Sequence, residues 1–169
     1  MPKAIIYQDY APQLITQLAN GGAFLTVKNG KQTNIMTIGW GTTGNIWGKP
    51  ILMVMVRYSR HTYGMLEKAG EFTLSVPLNR NLSEELLICG RQSGREIDKF
   101  KECRFTPLQS QVIGTPGIKE CPLHFECHVV YQQAMEPGQL NPAFRDKWYK
   151  TPDYHVLYFG EIVAGYLTE

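Results

Sequence analysis

Hydrophobic residues along this chain gather in short runs separated by glycine, proline and asparagine. Two kinds of run stand out. Gly22 to Val27 and Thr33 to Trp40, the latter centred on NIMTIGW (Asn34 to Trp40), flank the polar stretch Lys28-Asn29-Gly30-Lys31. Asn-Gly between two strand-like runs signals a hairpin, because both residues tolerate the positive φ of a two-residue turn. Pro50 to Val56 differs in containing nothing polar, and reads as a strand buried on both faces. Glu71 to Pro77, Val112-Ile113, Leu123 to Gln133 and His155 to Ala164 supply further strands.

Helical patterning is confined to connectors. Tyr63 to Ala69 is closed by Gly70 and preceded by Ser59, a suitable N-cap, with Thr62 near the first turn. Ser83 caps a second short helix, with Glu84 and Glu85 in its first turn and Gly90 at its end. Glu96 to Lys101 gives a third helical piece, and Pro12 to Leu18 an exposed turn after a short β-like start. Gly39, Gly41, Gly44 and Gly48 interrupt what would otherwise be continuous strand, a mark of close backbone approach. Met135 to Pro152 holds Pro137-Gly138, Asn141-Pro142 and Pro152, and reads as an excursion or lid. Short strands joined by minor helices predict a mainly β, closed or half-closed barrel in a single domain over 1–169.

Composition narrows the function. The 169 residues carry 43% hydrophobic and 19% charged positions, with 16 glycines and 10 prolines to serve the turns of a β-rich fold. A net charge of +2 offers no basic field for nucleic acid or anionic membrane, and the arginines cluster at one corner instead of tracking between aromatics. The longest apolar run ends at Arg57, well short of a membrane span, and the N-terminus has no export pattern. Four scattered cysteines then read as reduced thiols in the cytoplasm. Cys121 and Cys127, with His124 and His128 nearby, would sit about 20 Å apart along a strand at ~3.3 Å per residue, too far to share a metal.

The chemistry concentrates where the apolar run stops. Val56-Arg57-Tyr58-Ser59-Arg60-His61-Thr62-Tyr63 brings two arginines and two hydroxyls to a helix start, whose unpaired amides carry partial positive charge. Such a corner suits a phosphate. It would also serve as a capped surface helix with solvated arginines.

Five motifs in order favour the first reading, through a resemblance. NIMTIGW (Asn34 to Trp40), VRxSRxTY (Val56 to Tyr63), CGxxSGRxxDKF (Cys89 to Phe100), ECPxxxEC (Glu120 to Cys127) and HxxxFGEI (His155 to Ile162) resemble the flavin reductase-like, FMN-binding split-barrel proteins, flavoredoxins in particular, over roughly residues 20–165. The resemblance implies a six-stranded split β-barrel with short connecting helices, and a homodimer with an FMN in each of two clefts. It implies that Arg57, Ser59, Arg60 and Thr62 meet the FMN phosphate, while Asn34, Met36, Thr37, Ile38 and Trp40 lie along the isoalloxazine edge. It implies, too, that Ser93 and Lys99 belong to a loop that closes over the cofactor, and that His155 faces the flavin or nicotinamide as the candidate catalytic group. Trp148 and Tyr149 of the excursion are stacking candidates. The function implied is an NAD(P)H oxidoreductase, with hydride passing from NADH or NADPH to flavin N5 and electrons going on to a small acceptor or a protein partner. An FMN-binding electron carrier without its own NAD(P)H site is the alternative.

Overall fold

A computed structural model describes residues 2–168. In chain order it contains β1 (Lys3–Ala4), α1 (Tyr7–Ala19), β2 (Ala23–Asn29), β3 (Gln32–Ile38), β4 (Gly41–Ile46) and β5 (Lys49–Arg57). There follow α2 (His61–Ala69), β6 (Glu71–Val76), α3 (Ser83–Arg91), α4 (Lys99–Glu102), β7 (Pro107–Leu108) and β8 (Gly117–Ile118). The chain ends with β9 (Leu123–Ala134), a single 3-10 turn (Pro137–Gln139), α5 (Pro142–Trp148) and β10 (His155–Leu167).

The main sheet is antiparallel and runs β3-β2-β6-β9-β10-β5-β4, with β1 added on β10. Its first hairpin turns at Gly30, φ +60°, where the Asn-Gly signal placed it. Six of the strands (β2, β3, β5, β6, β9 and β10) supply the barrel interior: Leu25, Met36, Val54, Leu74, Phe125 and Tyr158 belong to one buried cluster. At the ends of that run, β3 and β5 approach each other without pairing, which leaves the barrel split. The outer face of β2 and β3 is covered too. Phe24 and Ile35 pack there against Leu86 and Cys89 of α3, with Cys103, Phe105, Ile118 and Cys121. Burial of this second face draws α3 and α4 onto the barrel wall, and these helices carry one side of the site.

Several local expectations are corrected. β5 is fully buried on one face only, through Leu52, Val54 and Val56, because Met53 and Met55 on the other face are half-covered. α1 is longer than one exposed turn: Leu14 and Leu18 are buried, and Tyr7 and Tyr10 pack beside them, so an apolar stripe carries the helix through Pro12. Ser59 does not cap α2, whose N-cap is Arg60 with no side-chain bond. Ser83 lies inside α3, and its hydroxyl turns back to Asn81. Val112-Ile113 is no strand. Buried Glu126 draws the amides of Gln111, Val112 and Ile113 onto its carboxylate at 2.7, 2.8 and 3.2 Å, which bends the segment. Among the described residues no helix is long and apolar enough to cross a membrane.

Candidate functional site

The split between β3 and β5 opens on two adjoining hollows. The first is a polar cavity of about 170 Å³, bordered by Asn34 from β3, by Ser59 to Thr62 at the start of α2, and by Arg91 to Arg95 and Lys99. Among the described residues that border it, Arg60, Arg91, Arg95 and Lys99 give it four cationic side chains and none is acidic. The first residues of α2, whose N-cap makes no side-chain bond, border it as well.

This cavity is tied from beneath. Asn34 Nδ2 donates to Thr62 Oγ1 at 2.9 Å, joining β3 to α2. Arg60 donates to the carbonyls of Gly90 and Cys89 at 2.7 and 3.1 Å. Lys99, with 4% of its surface exposed, donates to the carbonyls of Ile35 and Cys89 at 2.7 and 3.0 Å. Burial pulls the Lys99 pKa down to about 8, against the smaller opposing effect of Cys89 and with the Arg60 charge adding to it. Burial, followed by Arg95 and Lys99, likewise lowers that of His61. Gly94 must be glycine, since a Cβ there would lie 2.6 Å from Asn34 Cγ.

The second hollow, about 300 Å³, is a slot. Met36, Thr37 and Ile38 of β3 and Met55 and Arg57 of β5 form one side; Trp40, Trp148 and His155 form the aromatic side. Trp40 meets Trp148 edge-on at 5.1 Å and His155 at 5.2 Å between ring centres. Tyr149 stacks on Tyr154 at 4.9 Å, and the Arg57 guanidinium lies over the Tyr149 ring at 4.9 Å. Burial and then Arg57 bring the His155 pKa down to about 4, so its ring is neutral at pH 7. Arg60 borders both hollows. A wider groove of about 880 Å³ shares His61, Gly94 and Arg95 with the polar cavity, but of its walls only Ile113 is buried and its charges are mixed.

The residues singled out from sequence therefore converge, with changes of place. Ser59, Arg60, Thr62, Ser93 and Lys99 gather at the polar cavity, and Met36, Thr37, Ile38, Trp40 and His155 at the slot. Asn34 moves from the expected ring edge to the polar cavity, held there by Thr62. Arg57 moves the other way. It faces the slot, and its guanidinium is taken by the carbonyls of Asp153 and Trp148 at 2.7 and 3.0 Å. Ser59 is also engaged, since its amide and hydroxyl donate to the Asp153 carboxylate at 3.1 and 2.6 Å. Sequence reading missed Met55 and Asp153 and gave Arg95 no role of its own. Met53, Met55 and Arg57 share a strand face by simple alternation, so Met55 was readable; Asp153 had no signal.

The gap of the split barrel thus joins a cation-lined cavity to a slot bordered by aromatic side chains. Residues 15–169 match the model of the flavin reductase like domain, and the chain belongs to that family. It is 29% identical to a protein of Archaeoglobus fulgidus over 140 residues, covering 83% of this chain and 68% of that one. Flavoredoxin from Methanosarcina acetivorans superposes with a TM-score of 0.67 at 27% identity, covering 88% of this chain and 69% of its own. An FMN-binding domain of a flavin reductases-like enzyme from Shewanella baltica shares the fold, with a TM-score of 0.68 at 17% identity over 99% of this chain and 77% of its own.

Proposed function

We propose that this protein binds FMN and is an NAD(P)H-dependent flavin oxidoreductase. The carrying observation is the pair of joined hollows: an acid-free cavity bordered by four cationic side chains next to a slot walled by Trp40, Trp148 and His155. That donor set fits a phosphate at one end and a planar ring at the other. Arg60, Thr62, Ser93 and Arg95 would hold the phosphate, and Lys99 adds buried positive charge behind them. Met36, Ile38, Met55 and Trp40 would bracket the ring. FMN bound there supplies the redox chemistry. Arg57 and Arg60 place positive charge beside the slot, which stabilises negative charge developing on a ring held in it. Trp148, on the strap from Pro142 to Tyr154, borders the slot and would pack against a ring held there.

The test is purified protein mixed with FMN and either NADH or NADPH, followed at 340 nm. Oxidation of one nucleotide that depends on both protein and FMN is the expected result. FMN binding without oxidation of either nucleotide would leave an electron carrier with a separate donor, and no FMN binding would remove the reading. We also propose a homodimer, supported by an exposed aromatic group where the β4–β5 turn meets β9. Trp47, 62% exposed, packs edge-on at 5.9 Å against half-exposed Tyr131. Light scattering at twice the chain mass is the expected result.

A further inference from the structure

His155 has one ring nitrogen unaccounted for. Its side chain lies at the slot with 7% of the residue exposed, and Nδ1 is 2.6 Å from the Tyr149 hydroxyl. Among the described residues Nε2 has no hydrogen-bond partner. Which atom carries the ring proton follows from how the Tyr149 contact is used. The phenol has a second neighbour, Met135 Sδ at 3.2 Å, but a thioether is a far weaker acceptor than an imidazole nitrogen. Arg57 over the Tyr149 ring draws electron density toward the cation and makes the hydroxyl a better donor. Both effects direct the hydroxyl proton at Nδ1. A neutral imidazole accepting at Nδ1 carries its own proton on Nε2.

We propose that Tyr149 is a positioning residue that holds His155 as the Nε2–H tautomer, giving the slot one neutral N–H donor for an acceptor atom on the edge of the bound ring. The nature of that ring rests on the flavin reading; the tautomer does not. The charged and titratable groups around His155 are Arg57 from β5 and Tyr149, Asp153 and Tyr154 from the strap, with Arg60 on the same slot. Asp153 favours protonation of His155, but burial and Arg57 outweigh it, so the neutral ring persists through the physiological range. Tyr149 thus links the strap to the slot through one hydrogen bond.

Nitrogen-15 NMR of the full chain at pH 7, with and without FMN, tests this in the wild type and in Tyr149→Phe. The wild type is expected to show a protonated Nε2 and an unprotonated Nδ1. In Tyr149→Phe the tautomers mix and the His155 titration midpoint rises, since the bond that favoured the neutral ring is gone. FMN and riboflavin should both bind about three- to ten-fold more weakly in the variant, the value of one hydrogen bond. A protonated Nδ1 in the wild type overturns the proposal, even if the variant fails to fold. So does a folded variant with unchanged tautomer and unchanged FMN affinity. Wild-type protein that shows Nε2–H yet binds no FMN would support the tautomer and remove the flavin reading alone.

Discussion

The polar cavity and the slot are neighbours, but they are held together differently. The inner walls of the cavity are fastened to other elements by buried or half-buried bonds, from Asn34 to Thr62, from Arg60 to α3, and from Lys99 to both β3 and α3, while Ser59 and Arg95 at its rim are tied by exposed ones. The slot has one wall of that kind, the β3 and β5 edges of the gap. Its other wall arrives on the strap, which keeps one half-buried bond to Arg57 and one buried bond to His155 but is otherwise fastened to Arg57 and Ser59 by exposed bonds. An anion cradle works best when its donors are fixed before the anion arrives, because ordering them afterwards subtracts from affinity. A slot that must admit a ring and then a second reactant needs a side that opens. The contrast assigns anchoring to the first hollow and adjustment to the second.

The largest break in this comparison should come from Gly94→Ala. With a Cβ driven into the Asn34 amide, the cavity wall and the β3 contact cannot both keep their places. Overpacking of this kind costs about 1–3 kcal/mol of stability, read by denaturant titration, and FMN binding should collapse while the far side of the barrel stays folded. A smaller and cleaner contrast comes from two variants titrated by flavin fluorescence. Arg60→Ala with Arg95→Ala should weaken FMN by about a hundredfold, the worth of charge-assisted bonds to phosphate, and riboflavin far less. Trp148→Ala should weaken FMN and riboflavin equally, by up to about tenfold, as expected of lost aromatic contact. Equal losses from the arginine pair, or a phosphate-dependent loss from Trp148→Ala, would erase the division of labour.

The smallest effect is read in alkali. As pH rises through about 8, Lys99 loses its charge and FMN affinity should fall by a few-fold, on the order of 1 kcal/mol, with riboflavin unmoved. Stability goes the opposite way. Because the folded chain gives up the Lys99 proton before the unfolded chain does, this residue's contribution rises with pH from about 8 to the ordinary lysine value of 10.5 and is lost as pH falls back. Measuring stability and FMN affinity across the same pH range checks both signs.

Much of this was legible in the sequence, and the failures have common causes. Alternation and Asn29-Gly30 are local signals, so the first hairpin and the six core strands could be read directly. Ser93 and Lys99 are reached through the motif that carries them, and both border the polar cavity. The bond from Asn34 to Thr62 carries no local signal, because the two lie 28 residues apart and meet only once α2 has packed onto the barrel. The Val112-Ile113 run failed for a similar reason: its backbone bonds go to Glu126 on β9 instead of to a ladder. Arg57 and Ser59 suit an anion by type and spacing, but nothing local signals the bonds both make to Asp153, more than ninety residues on.

The position of Arg60 on both hollows bears on how such a protein diverges under selection. A substitution there alters anchor and slot together, so one mutation rarely improves one without injuring the other. Met55 and Trp148 border the slot alone and can vary at lower risk. Descendants that acquire new reaction partners are therefore expected to change along the strap and the outer face of β5, while position 60 keeps its guanidinium.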